Sequence, residues 1–309
     1  MESEFLAWLQ HRVLRTPIAP LGLQDDAALL RLREPDGTVV TTDMLMDGTD
    51  FRLGEIDPRR AGRKALAVNL SDLAAMAAKP LAALVSLALP RAGGRALAES
   101  LYEGMLPLAA ELDVAIVGGD TNSWDGPLVI SVTAIGEVGA RGPLLRSGGQ
   151  IGDWILVTGE FGGSILGRHL DFAPRVRESL RLHEAYELHA GMDISDGLTL
   201  DLSRMARASN CGAVLDLSQI PVSAAAVRLA ERSRDGLTHL DHALGDGEDF
   251  ELLLAVPPAE ARRILRDQPL VVPITAIGQL VAEAGLWQTA GETSRLPLSP
   301  QGYEHRLDS

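Results

Sequence analysis

Short apolar runs that stop on an aspartate recur along this chain and constrain it more than any other feature. They are Val39-Val40-Thr41-Thr42-Asp43, Ala67-Val68-Asn69-Leu70-Ser71-Asp72, Ile116-Val117-Gly118-Gly119-Asp120 and Met192-Asp193-Ile194-Ser195-Asp196, with a further pair at Asp25-Asp26. A buried strand or helix that ends on a carboxylate delivers it to the rim of a sheet, where open α/β and α+β folds bind ligands. One such ending is ordinary turn chemistry. Several, with few cations in the same segments, point to a site that collects divalent metal. Hard oxygen donors suit Mg²⁺, and Mg²⁺ in turn suits a phosphorylated substrate.

Charge narrows the partners. Lys plus Arg is 28 against 42 Asp plus Glu, a formal net charge of −14. That argues against a nucleic-acid surface, which needs a basic patch. It also repels bare ATP or phosphate esters, so an anionic ligand must bring cations with it. Only 4% of residues are aromatic while 46% are hydrophobic, so the core is built from Ala, Leu, Val and Ile. At 309 residues the chain suffices for two domains or one large one. Cys211 is the single cysteine, which rules out an internal disulfide and fits a reducing cytosol. The opening MESEFLAWLQHRVLR does not read as a signal peptide, and the apolar stretch Pro80 to Pro90 is too short to span a bilayer. The expectation is a cytoplasmic protein with no membrane partner.

Residues 3–15 have apolar positions at helical spacing, and 38–43 has the β-branched enrichment of a strand. Asp57-Pro58 predicts a helix start, with Asp as N-cap and Pro at the first helical position, running to near Lys79-Pro80. Then follow a strand over 81–89, a helix over 94–112, a buried strand over 114–117 ending at Gly118-Gly119, and an alternating strand over 128–138. Gly, Pro, Arg and Ser cluster in 139–150 and predict a boundary there. Beyond it the pattern predicts a strand at 154–158, helices at 162–170, 176–189 and 196–208, strands at 213–217, 250–256 and 273–280, and a helix from Pro257-Pro258. Helices and short turns both separate the strands, so α+β is favoured over a doubly wound sheet.

Each carboxylate has a plain structural reading. Asp25-Asp26 is a polar turn before a strand, Thr41-Thr42-Asp43 an Asx or Ser/Thr turn, Asp193 to Asp196 a helix cap, and 245–251 an acidic loop before a strand. Asp72 resists this reading, because Asp is a poor helix former and unpaired burial is costly; Arg63 or Lys64 could be its partner. Gly118-Gly119 would let backbone approach a phosphate, with Asp120 holding the accompanying Mg²⁺, although a simple turn uses the same residues. The joint occurrence favours metal. There is no Walker A loop, no G-x-G-x-x-G, no kinase H-R-D or D-F-G set and no zinc spacing. Any ATP must therefore be held through metal-bridged carboxylates.

The segments DDAALL, TTDMLMDGTDF, KALAVNLSDLAAMAAKP, GGDT, RSGGQIGDWILVTG, MDISDGL and GEDFEL, in this order, resemble the thiamine-monophosphate kinase family of the aminoimidazole-ribonucleotide-synthetase-like ATP-binding superfamily. The resemblance implies an α+β fold of two domains. Residues 1–142 would bind ATP and metal and pair in a homodimer, and 143–309 would complete the site. It implies Mg²⁺-dependent transfer of the γ-phosphoryl of ATP to thiamine monophosphate. It makes Asp26, Thr41, Thr42, Asp43, Asp72, Asp120, Asp193 and Asp196 the ligands of several Mg²⁺ ions. Tyr102, Gly119, Asp120, Arg146 and Ser195 would contact the nucleotide, and Asp50, Glu248 and Tyr303 the acceptor; Asp43, Asp72, Asp120 and Arg146 would serve the transfer itself. The chain departs from the family pattern at Gln24 for Gly, Asp50 for a substrate-associated His, and Asp246 for Gly. The other readings are a synthetase of the same superfamily and an inactive Mg²⁺- or nucleotide-binding homologue. A selenophosphate synthetase would need a reactive cysteine near the N-terminus, where Cys211 is not.

Overall fold

The computed structural model describes residues 28–30, 37–290 and 294–305. The helix expected over 3–15 and the metal ligand expected at Asp26 lie outside them.

The first half builds a five-stranded sheet from β1 (Ala28–Leu30), β2 (Thr38–Met46), β3 (Ala78–Pro90), β4 (Ala115–Trp124) and β5 (Val129–Val138) in the order β1-β2-β5-β3-β4. All pairs are antiparallel except β3 with β4. Among the described residues, helices α1 (Pro58–Ala75) and α2 (Gly94–Glu111) cover one face of the sheet and none covers the other, which is why β2 and β5 alternate along their length. Asp57 caps α1 through its side chain, accepting from Arg59 N at 2.9 Å, with Pro58 at the helix start as expected. α1 is buried almost all round, which its Ala-rich sequence permits. It lies so close to α2 that a Cβ on Gly62 would stand 2.0 Å from Leu101 O, and one on Gly104 1.8 Å from Arg59 O.

The second half builds a seven-stranded sheet in the order β12-β11-β8-β10-β6-β9-β7. Its strands are β6 (Trp154–Thr158), β7 (Ala190–Asp193), β8 (Gly212–Leu215), β9 (Leu252–Val256), β10 (Ile274–Val281), β11 (Leu286–Ala290) and β12 (Ser294–Pro297). Both faces of its centre are covered. Leu156, Leu252 and Leu254 enter a core continuous with α1 and the first sheet, while Ile155, Val157, Leu253 and Ala255 enter a second core. Hence WILVT and LLLAV read as unbroken apolar runs. Around this sheet lie α3 (Arg168–Asp171), α4 (Val176–Ala185), α5 (Leu198–Ala208), α6 (Ala224–Arg232), α7 (His239–Gly245) and α8 (Pro258–Asp267).

Several expectations need correction. The strand at 114–117 does not stop at its glycines; β4 runs on to Trp124 as an exposed edge strand. Gly119 is needed there for a different reason, because at φ 149° a Cβ would sit 1.7 Å from Val85 O. The helix at 162–170 is instead a 3-10 turn (Ser164–Leu166) that starts after Gly163 and is divided from α3 by Gly167, both glycines at positive φ. The helix at 176–189 ends at Ala185, and 190–193 becomes a strand. α6 and α7 were not expected, although Thr238 and Asp241 form a capping box that marks the start of α7.

Candidate active site

α1 brings the two halves together at a pair of hydroxyl–carboxylate contacts. Thr41, on the covered face of β2, donates to Asp72. Ser71 donates to the buried Asp193 at the end of β7, at 2.5 Å. Asp43 follows Thr41 by two residues, so the pleat puts it on the same face. The cations offered as structural partners of Asp72 go elsewhere: Arg63 donates to Leu170 O at 3.4 Å and Lys64 to Glu248.

Other expected ligands are not gathered here. Thr42 points to the open face of the sheet, where it donates to Val132 O and accepts from Thr133. Asp120 pairs in register with the exposed Ser86 and is itself exposed. The register row Asp43–Val132–Val85–Gly119 spans four strands. Asp43 and the Gly119-Asp120 segment are therefore about 14 Å apart, three strand spacings. Asp196 is paired with Arg204, which also holds Asp201 at 2.9 Å. Asp201 in turn accepts from Asp196 N and Gly197 N, so it serves the start of α5 in place of the cap expected from Ser195 or Asp196. Tyr102 is half-buried on α2 against the core, and the Arg146 carbonyl is fixed by Ser209 Oγ at 3.0 Å.

Among the described residues, no three carboxylate, imidazole or thiol groups close on one point at metal-binding distance. The donor set at α1 is nonetheless hard oxygen throughout. Mg²⁺ keeps several waters and takes one or two carboxylates plus phosphate oxygens, so these residues fit it better than an ion needing an all-protein cage.

A second cluster lies further along α1. The Lys64 ammonium is wholly buried and donates to the Glu248 carboxylate and, at 2.9 Å, to Asp50 O. The Asp50 carboxylate turns back to accept from Met46 N at 2.6 Å, so it closes its own turn. Glu248 sits at φ 54°, between Gly247 at 75° and Phe250 at 51° with Asp249 intervening. Such left-handed residues cost on the order of 1–3 kcal/mol each and persist only where surroundings impose them. Here Glu248 N donates to Ser195 O at 2.6 Å and Phe250 N to Ile194 O at 2.8 Å, and the Phe250 ring stacks on Phe172 with centroids 4.0 Å apart. The C-terminal segment arrives at the same place, with Tyr303 N donating to Asp196 O at 2.9 Å and Gln301 N to Thr199 Oγ1 at 2.8 Å. Thus Ser195, Asp196, Glu248 and Tyr303, far apart in sequence, share one loop cluster.

The carboxylates beneath this loop hold it up. Asp249 accepts from Gly162 N with both oxygens, and Asp246 from Gly163 N at 2.7 Å. Burial pushes the Asp249 carboxyl up to about 8. The buried Glu251 accepts from Arg168, from Arg175 at 2.6 Å and from Thr158 at 2.6 Å. Burial also holds the His169 imidazole, which donates to Ser164 O, below its ordinary range. Lys64, Arg168 and Arg175 were missed by sequence reasoning as members of the site. Lys64 alone carried a signal, as the one Lys inside an otherwise apolar and buried stretch of α1.

The two α+β halves, joined through a shared helix, are those of an AIR synthase-related protein, as two family models show. Residues 24–138 match the model of AIR synthase related protein, N-terminal domain, and 128–286 that of its C-terminal domain. The chain is 44% identical over 316 residues to thiamine-monophosphate kinase of Rhodopirellula baltica, covering 99% of this chain and 97% of that one. It is 37% identical to thiamine-monophosphate kinase of Escherichia coli K12, covering 92% and 91%. Among solved structures, AaThiL complexed with AMPPCP and TMP superposes with a TM-score of 0.81 at 26% identity, over 98% of this chain and 95% of that one. The chain belongs to the thiamine-monophosphate kinase family, whose reaction is the ATP-dependent phosphorylation of thiamine monophosphate.

Proposed function

We propose that the chain makes thiamine diphosphate by transferring the γ-phosphoryl of ATP directly to the phosphate of thiamine monophosphate, with ADP as the leaving group and the reacting groups beside α1. The observation that carries this placement is the meeting of Thr41–Asp72 and Ser71–Asp193 on one helix, which brings oxygen donors from both halves to one place. Asp43, Asp72 and Asp193 would hold Mg²⁺, and Glu248 with Tyr303 the acceptor's thiamine end. Bound there, the metal would neutralise charge on the two phosphate groups and favour an in-line approach.

The acceptor is a phosphate monoester with second pKa about 6, so it is mostly dianionic at neutral pH. It needs no general base, which accounts for a site rich in aspartate and poor in histidine. What this chain's residues contribute is position: Thr41 and Ser71 fix the rotamers of Asp72 and Asp193, and the Glu248 loop sets the acceptor's far end. Arg146 and the Gly119-Asp120 backbone are assigned to the nucleotide. We place the junction between the halves at 142/143 and the protein in the cytoplasm.

The dimer belongs to the same reading. Among the described residues, nothing covers Met44 (62% exposed), Val117 (61%) and Leu84 (36%), which form an apolar surface on the open side of the five-stranded sheet. Thr42 and Asp120 lie towards that open side. A second copy seated on this face would cover the apolar patch and bring its own Asp120 to β2, beside Thr42 and one residue from Asp43, which one chain alone cannot do across about 14 Å.

The test is incubation with ATP, Mg²⁺ and thiamine monophosphate. Thiamine diphosphate should form, and Asp72→Asn should lower kcat about a hundredfold or more with an unchanged melting temperature. Near-normal turnover of that variant at saturating Mg²⁺ would sink the metal assignment.

A further inference from the structure

We propose that Lys64 is a positioning residue for the acceptor end: its buried ammonium holds Glu248 and the Asp50 turn at a fixed height along the helix that presents Asp72. The proposal rests on the assignment of Glu248 to the acceptor.

A wholly buried ammonium is retained only where its partners satisfy it. Those partners come from both halves of the chain, Asp50 O from the turn after β2 and the Glu248 carboxylate from the second half. Lys64 cannot touch a ligand itself, being 0% exposed, whereas the Glu248 side chain is 34% exposed and can. The charge of Glu248 is therefore aimed from behind. Lys64, Val68, Ser71 and Asp72 follow the i, i+4, i+7, i+8 pattern of one helix face. Eight residues at 1.5 Å each separate Lys64 from Asp72 by about 12 Å along a rigid axis. One helix thus sets both ends of the site, and the interval suits a two-ring molecule with a phosphate at one end. Glu248 also has a left-handed backbone, so its direction needs outside support.

The experiment measures kcat and the separate KM values for thiamine monophosphate and ATP, with melting temperatures, in Lys64→Met, Glu248→Gln, Lys64→Arg, Glu248→Asp and the Lys64→Arg/Glu248→Asp pair. Lys64→Met and Glu248→Gln should each raise the acceptor KM about tenfold or more while the ATP KM stays within about twofold. The longer Lys64→Arg and shorter Glu248→Asp should each raise the acceptor KM, and the pair should recover part of the loss. This charge-conserving swap carries the test if Lys64→Met does not fold. A folded Lys64→Met with unaltered acceptor KM, equal rises in both KM values, or additive losses in the pair would each overturn the proposal. If Glu248→Gln also leaves the acceptor KM alone, the assignment of the acceptor end has failed instead.

Discussion

Asp249 shows how a carboxylate in this site can serve structure instead of metal. It is 1% exposed, both its oxygens accept from Gly162 N, and burial pushes it up to about 8. In the unfolded chain it would titrate at about 3.9. Its folded form therefore keeps a proton that the unfolded form loses, so its stability contribution is full below about pH 4 and is lost as pH rises to about 8. Asp249→Asn keeps an acceptor for Gly162 N and cannot titrate. Urea midpoints at pH 5 and pH 8 should show wild type losing stability relative to this variant at the higher pH; a constant gap between them would refute the assignment. The sequence made the carboxylates visible because each follows an apolar run. It did not show which are neutralised from afar. Asp196 meets Arg204 eight residues on, across the first turns of α5, while Glu251 meets Arg168 and Arg175 from another part of the second half. The Glu251 pairings depend on chain reversals that no local spacing records.

At the scale of elements, α1 is where small residues matter most. Gly62→Ala would place a methyl against the Leu101 carbonyl at 2.0 Å and force α2 outward. It should destabilise the protein by about 1–3 kcal/mol, as overpacking does, and lower the urea midpoint without altering the slope. No change in midpoint would mean that α2 shifts without penalty. α1 was legible from its Asp57-Pro58 start and Ala-rich run, β2 from its β-branched residues and β5 from its period of two. β4 was not fully legible. Its glycines read as a turn, but Gly119 serves a close strand approach, and spacing alone cannot tell these two uses apart.

At the scale of the molecule, the open face of the five-stranded sheet makes a mixing experiment decisive. Asp43→Asn and Asp120→Asn should each abolish turnover. If each site takes Asp43 from one copy and Asp120 from the other, unfolding and refolding the two inactive variants together should restore about a quarter of wild-type activity, because half of the two-fold dimers are mixed and each has one intact site. No recovery despite mixed dimers would place both residues in one chain's site. The exposed Met44 and Val117 were present in the sequence as ordinary strand apolars; only the sheet order shows that nothing in the described chain covers them.

The contacts of α1 bear on how such a gene can be recombined. The segment 139–150 is an obvious crossover point, since one sheet ends at Val138 and the next begins at Trp154. Yet α1 lies before that point and is fastened beyond it: Arg60 to Asp171, Lys64 to Glu248, Ser71 to Asp193, and Ala74 O to Ser179. A chimera that exchanges halves between relatives there inherits a helix from one parent and its sockets from the other. Exchange would preserve activity only between parents that agree at those sockets, so the two halves are inherited as one unit despite their separate sheets.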